Sequence, residues 1–317
     1  MISKSFEDDT NLRIHNSEFK ILHYPVREVV PYINWIYYFH AWGMEPRFAT
    51  IADIHDCPAC RASWIASFAQ EEQPKAREAM KLYDEATGQL RQWADEPACH
   101  ALFLIARARS EGDDIIVNEA VRVPFLRQQH VGKSGYTMCL SDFIAPTQPS
   151  PTEGVADIAN TIGVFATTVK LPANAQPSSF NFQLSTLSDR LAEATAEKMH
   201  EEVRKLHWGY AKEERLTMQE LHDEKFQGIR PAVGYPILPD QSVNFLIDKL
   251  LCLADIGISL SENGAMKPHC SVSGLMFAHP KAHYFSIGEI GEDQLTDYAH
   301  RRGADIEQIR KYLIKNL

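Results

Sequence analysis

Gly228-Ile-Arg-Pro-Ala-Val-Gly-Tyr-Pro236 is the stretch around which the rest of the chain can be read. Two prolines and two glycines in nine residues exclude a helix and a regular central strand. Proline lacks the N–H that either ladder needs, and glycine loses the most entropy when ordered. The stretch is therefore a rigid, turn-rich loop. It carries one arginine, Arg230, and one tyrosine, Tyr235. Arginine presents a planar fork of donors that matches a carboxylate or phosphate. Tyrosine adds an aromatic face and a hydroxyl. Gly234 would let a ligand approach the backbone, while Pro231 and Pro236 limit the loop's freedom before binding. On these residues alone, the plain alternative is a surface loop with one solvated arginine.

Composition narrows the class. At 317 residues the chain can bury a large core, as one big domain or two small ones. A hydrophobic content of 44% with 23% charged residues fits a soluble globular protein rather than a disordered or membrane one. A net charge of -10 argues against a nucleic-acid partner. No stretch reaches the length of a membrane-spanning helix. The polar, acidic start lacks the basic-then-apolar order of a signal peptide, so a cytoplasmic location is expected. Six cysteines are few for this length, and free thiols are expected.

Taken in order, residues 1–20 read as a polar lead-in. Val26, Val29, Val30, Ile33 and Tyr37 fit one helical stripe, with Pro31 in the first turn. Residues 73–95 read as an amphipathic helix ending before Pro97. Residues 102–105 and 115–123 read as strands around a turn at Glu111-Gly-Asp-Asp, and Val121-Arg-Val-Pro-Phe125 reads as a short strand ending at a proline. Residues 136–145, 156–171 and 283–290 also read as strands, as do 258–260 and 271–278. Residues 147–153 and 172–179 are loops. Leu184, Leu187, Leu191, Thr195, Met199, Val203 and Leu206 lie on one stripe of the clearest helix, with Glu193, Glu197 and Arg204 off it. Shorter helices are expected at 218–226, 242–254, 294–302 and 306–313. Long helices interleave with runs of short strands, without βαβ alternation or a dinucleotide-binding loop. The fold expected is α+β, an antiparallel twisted sheet flanked by helices.

Four motifs fail on inspection. Gly132-Lys-Ser134 lacks the first glycine of a phosphate loop, which would fall at Arg127. His200-Glu-Glu-Val-Arg204 lacks the second histidine of a zinc protease. Asp53-Ile-His-Asp-Cys-Pro58 has proline where the cobalamin motif Asp-x-His-x-x-Gly has glycine. Cys57-Pro-Ala-Cys60 has no second Cys or His pair to complete a four-ligand zinc site, so no metal is expected there.

The Arg230-Pro-Ala-x-Gly-Tyr-Pro236 pattern resembles the signature loop of the AdoMet-binding activation domain of cobalamin-dependent methionine synthase. Collinear motifs extend the resemblance. Upstream stand Asp189-Arg-Leu-Ala-Glu-Ala194, His200-Glu-Glu-Val-Arg-Lys205 and Trp208-Gly-Tyr-Ala211. Downstream stand Glu262-Asn-Gly-Ala-Met266, Ser271-Val-Ser-Gly274, His279-Pro280, Tyr284-Phe285 and Asp297-Tyr-Ala299. The first half matches more sparsely, at Tyr32-Ile-Asn-Trp35, Gly112-Asp-Asp-Ile115 and Cys139-Leu-Ser-Asp-Phe-Ile-Ala-Pro146.

The resemblance implies one compact, C-shaped domain over residues 1–317 that binds S-adenosylmethionine (AdoMet). It implies that Arg230 pairs with the AdoMet carboxylate, that Glu193 faces the ligand, and that backbone groups of Ala232 and Gly234 contact it. Tyr235, Tyr284 and Phe285 would form the ligand wall and the corrin-facing surface. Asn34 stands where the family has an aspartate that contacts the AdoMet amino group. The implied activity is methyl transfer from AdoMet to reduced cobalamin, restoring methylcobalamin. The cobalamin is carried by a partner domain or protein, and a flavodoxin-like donor supplies the electron. No catalytic base and no metal are implied. The homocysteine-site zinc cysteines, the folate barrel and an intact cobalamin motif are missing from the chain, so an isolated activation domain or a stand-alone subunit acting in trans on a corrinoid protein is expected, and the start at Met1 slightly favours the second. The alternative is a docking module for a corrinoid protein with weakened AdoMet binding, which Asn34 motivates.

Overall fold

Two apolar runs, Cys99–Glu111 and Thr161–Val169, pair antiparallel at the centre of a curled sheet flanked by helices. The computed structural model describes residues 19–131, 135–146, 158–171 and 182–317. In chain order the elements begin with β1 (Phe19–Tyr24), α1 (Val26–Val29), α2 (Trp35–Ala41), α3 (Pro58–Ala66) and α4 (Gln73–Gln92). Then come β2 (Cys99–Glu111), β3 (Asp114–Val117), β4 (Val121–Pro124), β5 (Thr161–Val169), α5 (Phe182–Glu202), α6 (Met218–His222) and α7 (Val243–Leu251). The chain closes with β6 (Ser259–Leu260), β7 (Met266–Lys267), β8 (Ser271–Met276), α8 (Glu292–Arg302) and α9 (Ile306–Tyr312). The main sheet runs β4-β3-β2-β5-β8, with β1 also on β2, and every pairing is antiparallel.

Strand periodicity explains how one sheet serves two cores. Successive side chains point to opposite faces. Ala101 and Phe103 on β2, with Phe165 and Val169 on β5, join the core built with α1, α2, α4 and α5. Leu102 and Leu104, with Ile162, Val164 and Ala166, join the core built with α7. Both faces are covered, so β5 reads as a nearly continuous apolar run rather than an alternating one. A third cluster, including Leu126, Ile287, Leu295, Tyr298 and Leu313, seats α8 and α9.

The loop quoted at the outset closes the outer edge of β8. Ile229 and Phe277 exchange both backbone hydrogen bonds at 2.9 Å. Leu275 N–H donates to Pro231 C=O at 3.0 Å, and Val233 N–H donates to Ser273 C=O at 2.9 Å. Pro231 has no N–H to give, but its carbonyl accepts, so a proline is compatible with this edge. The close approach requires glycine on both sides. A Cβ on Gly274 would sit 2.2 Å from the Pro231 oxygen, and one on Gly228, at φ +88°, would sit 2.2 Å from the Phe277 oxygen. At Gly234 a Cβ would meet nothing within 4 Å, and glycine is favoured there by a φ of +89°.

Several elements depart from the sequence expectations. The 26–39 stripe is not one helix: a 3-10 turn (Val30–Tyr32) follows α1, and the chain restarts at Asn34, whose side chain caps α2. The restart resets the helical phase, so Tyr38 and Phe39 are buried and Tyr37 is left 59% exposed. The strand expected over 115–123 stops at Val117, because Asn118 and Glu119 take left-handed conformations and turn the chain, and the short strand expected at Val121 is β4. Residues 136–145 are not a strand; Asp142 binds Cys139 N–H and Arg127, which winds 140–143 into a 3-10 turn. Residues 283–290 form no strand either. They are held by single bonds from Ile287 N–H to Pro236 C=O and from Ile290 N–H to Asn316 C=O. The stripe of α5 holds through Met199 and Val203, but the last turn widens into a π-turn (Val203–His207). That turn leaves Leu206 exposed and Arg204 buried against Glu214. Residues 19–20 of the expected lead-in open β1. The rest of the lead-in, Gly132-Lys-Ser134 and the loops at 147–153 and 172–179 lie outside the described residues.

Gly274→Ala should therefore uncouple the loop from the sheet. Overpacking of this kind costs roughly 1–3 kcal/mol or more. Denaturant unfolding is expected to show that loss, whereas Gly234→Ala, with open space around it, should lose less, about 1 kcal/mol of left-handed strain. Equal stability for wild type and Gly274→Ala would mean the loop does not pack as described.

Candidate functional site

A cavity of about 490 Å³ opens between α5 and the Gly228–Pro236 loop. Its floor comes from α5. Arg190, Glu193, Ala194 and Glu197 line it at spacings of three and four, one helical face away from the core stripe of Leu187, Leu191 and Thr195. The restarted α2 region contributes Asn34 and Tyr37, the loop contributes Arg230, Ala232 and Tyr235, and the segment after β8 contributes Tyr284 and Phe285. Glu224 and His222 close the rim beside α6.

Arg230 is the electrostatic centre. Its side chain is only 11% exposed, and its guanidinium lies 2.9 Å from Glu197 and 5.5 Å from the centre of the Phe165 ring. Burial works against the charge, but Glu197, Tyr284 and Glu193 outweigh it and the guanidinium pKa is raised. Nε of Arg230 and Oε1 of Glu197 are buried with no hydrogen-bond partner among the described residues. The Arg230 N–H donates to the Tyr284 hydroxyl at 2.9 Å, and the Tyr235 hydroxyl donates to Glu193 at 2.8 Å. Burial, then the charge of Glu193, raises the Tyr235 pKa, so its proton stays on at neutral pH. Partial burial and Glu197 also raise the Glu224 carboxyl. Three carboxyl groups, Glu193, Glu197 and Glu224, thus face two guanidinium groups, Arg190 and Arg230. Among the described residues, no triad of nucleophile, base and acid is assembled around the cavity; the groups that line it are chiefly charged and aromatic.

Seven of the eight residues singled out from sequence line this one cavity: Asn34, Glu193, Arg230, Ala232, Tyr235, Tyr284 and Phe285. Gly234 does not; its N–H is engaged by Leu238 C=O at 2.8 Å inside the turn. Asn34 lies in the wall, but its Oδ1 already accepts the Ile36 N–H at 3.1 Å as a helix cap. Glu197, Arg190, Tyr37 and Glu224 were missed. Glu197 and Arg190 had a legible signal, since they sit one turn either side of Glu193 on the same face. Tyr37 and Glu224 had none, because a reset helix and a left-handed residue bring them in.

Residues 25–303 match the family described as vitamin B12 dependent methionine synthase, activation domain. The chain belongs to this family. It is also similar to a solved structure, the MetH reactivation domain bound to AdoHcy, with 30% identity and a TM-score of 0.77. The match covers 96% of this chain and 91% of that one. The activation-domain fold expected from the signature loop is thus the fold observed. No helix among the described residues is long and apolar enough to cross a membrane.

The activation domain also keeps a buried imidazole beneath the site. His200 is fully buried, and its Nδ1 lies 2.9 Å from an Arg204 nitrogen, so Nδ1 is the acceptor. Burial, then Arg204 and Arg230, hold its pKa well below the ordinary value. An unfolded histidine titrates near 6.5, so below about that pH the unfolded chain takes up a proton that the folded chain refuses. Stability should fall on acidification from about pH 7 to 5.5, by at most about 1.4 kcal/mol per pH unit for this group. His100, lowered to about 4 by burial and by His23, adds in the same window. His200→Gln should flatten part of the slope in urea titrations. A wild-type profile flat across that window would show that the imidazole is accommodated as a cation.

Proposed function

We propose that this chain binds AdoMet in the cavity between α5 and the signature loop and presents its methyl group to the reduced cobalamin of a corrinoid protein, restoring methylcobalamin. Arg230 carries this reading. It is a nearly buried guanidinium with an unpaired Nε, set among the carboxyl groups of the cavity. AdoMet carries a carboxylate to meet the guanidinium, and an ammonium and a sulfonium to meet the carboxyl groups. The AdoHcy complex of the similar MetH reactivation domain supports the same ligand class, since AdoHcy is AdoMet without its methyl group.

In this reading Arg230 takes the carboxylate while Glu197 holds the guanidinium fork in place. Glu193 and Glu224 face the cationic part of the ligand, and Tyr235, Tyr284 and Phe285 form its aromatic wall, with Ala232 beneath. The methyl leaves the sulfonium, whose sulfur keeps the bonding pair as a thioether, and the reduced cobalt supplies the pair for the new bond. No proton moves, so positioning is the whole task of the protein. The corrinoid is carried by the cobalamin domain or protein of methionine synthase, and a flavodoxin-like donor supplies the electron in the cytoplasm. The chain then acts as one domain, the reactivation domain or subunit of a 5-methyltetrahydrofolate-homocysteine methyltransferase.

A second reading, a docking module with weakened AdoMet binding, is favoured by one observation. Asn34 is neutral where the family has aspartate, and its oxygen is occupied as a helix cap. Aspartate caps equally well, so Asn34→Asp should fold and should tighten AdoMet by more than it tightens an analogue lacking the amino group. Equal gains for the two ligands would mean that position 34 does not face the amino group. Arg230→Ala should weaken AdoMet in calorimetry by about 1.5–3 kcal/mol, roughly one to two decades. Because it strands Glu197, Arg230→Lys, which keeps the charge without the fork, is the companion variant. Transfer of labelled methyl from AdoMet to a cobalamin protein under reducing conditions tests the reaction itself. AdoMet binding without transfer would favour the docking module, and absence of AdoMet binding by the folded wild type would overturn the site.

A further inference from the structure

The loop before α3 has no part in the cavity, yet it gathers three soft donor groups. The ring nitrogens of His55 and the sulfurs of Cys57 and Cys60 offer one ligand atom each, all within 4.8 Å of one another. We propose that His55, Cys57 and Cys60 form an open-sided binding site for a thiophilic divalent cation of the zinc class. The sequence expectation of no metal rested on the missing partners of a lone Cys-x-x-Cys pair. The fold supplies one of them, two residues upstream.

Local chemistry explains the convergence. Cys57 is the N-cap of α3, Pro58 follows at the first helical position, and Cys60 stands one turn in. The Cys60 N–H donates to the Cys57 sulfur at 3.3 Å, which holds the two thiols on the same side. Cys57 N–H donates to His55 C=O at 2.8 Å, a three-residue turn that folds His55 back over the helix start. The platform beneath is fixed. Trp64 of α3 is buried and donates to Thr50 at 2.9 Å, and Arg61 ties Asp56 at 2.9 Å and also pairs with Asp84 of α4. The ligand groups are therefore largely pre-positioned rather than gathered by the ion.

The distances suit the ion. In a tetrahedron with metal–sulfur bonds of about 2.3 Å and a metal–nitrogen bond of about 2.0 Å, the sulfurs lie roughly 3.8 Å apart and each roughly 3.5 Å from the nitrogen. A contraction of no more than about 1.3 Å closes the site, within reach of side-chain rotation. Two sulfurs and an imidazole select a zinc-like ion over magnesium or calcium, which prefer oxygen. His55 is exposed and the cysteines are half-buried, so one side remains open. Three protein ligands plus water, or a group from a partner, complete four-coordination.

The test uses the whole untagged chain, reduced and stripped with a chelator, then titrated with zinc against a chromophoric chelator and with cobalt(II) under anaerobic conditions. The expected result is one ion per chain, a cobalt spectrum with thiolate charge-transfer bands, and zinc protection of two thiols from alkylation while the exposed Cys252 still reacts. Cys57→Ser keeps a cap acceptor at the helix start. It and the surface change His55→Ala should each weaken zinc by at least about tenfold. Cys57→Ser/Cys60→Ser should abolish stoichiometric binding, with AdoMet affinity and the metal-free melting transition unchanged. Zinc binding that survives the double variant overturns the site. So does a reduced wild type that takes no zinc at micromolar concentration. Rapid formation of a Cys57–Cys60 disulfide by such a chain would assign the pair to thiol exchange instead.

Discussion

Placing the Arg230 guanidinium in a nearly water-free position commits the surrounding structure. A buried charge left without a partner costs about 3–5 kcal/mol. Glu197 must therefore stand opposite it, which fixes the loop to one turn of α5. The loop can reach that turn only by lying against β8, and it can lie there only because Gly228 and Gly274 leave room for carbonyl oxygens. The pair is weak evidence for stability, since two apolar residues of similar size would serve as well or better. Its incomplete satisfaction, with one nitrogen and one oxygen unpaired, fits retention for binding rather than for folding.

The same economy governs the neighbouring α2. Asn34 both caps that helix and lines the cavity. A single residue thus connects the start of a helix to the composition of the cavity wall. The restart that requires the cap is also what turns Tyr37 outward, where the guanidinium of Arg190 stacks 5.9 Å from its ring centre.

Much of this was legible in the sequence, for identifiable reasons. The α4 and α5 helices declared themselves through regular three-and-four spacing, and the loop through its prolines and glycines. The grouping of Glu193, Arg230, Tyr235, Tyr284 and Phe285 around one cavity followed from the family resemblance, because local chemistry alone leaves Arg230 an ordinary surface arginine and Glu193 a solvated helix carboxylate. What stayed hidden depended on contacts distant in sequence. The 140–143 turn exists because Asp142 meets Arg127, and the inward Arg204 exists because of Glu214. The 283–290 segment is extended but finds only isolated partners, which no local pattern records. The break between α1 and α2 was partly written in Pro31 and Asn34, yet the apolar stripe running across it outweighed those signals.

The loop's position on β8 has a further consequence for solubility. An exposed outer strand is a template for pairing with other chains, and proteins protect such edges with prolines, bulges or covering segments. Here the covering segment is the Gly228–Pro236 loop itself, joined by backbone bonds on both sides of Pro231. The polypeptide that carries Arg230 into the cavity is thus also the polypeptide that keeps β8 from recruiting a neighbour. A change that loosened the loop would reshape the cavity and uncover a strand edge at the same time.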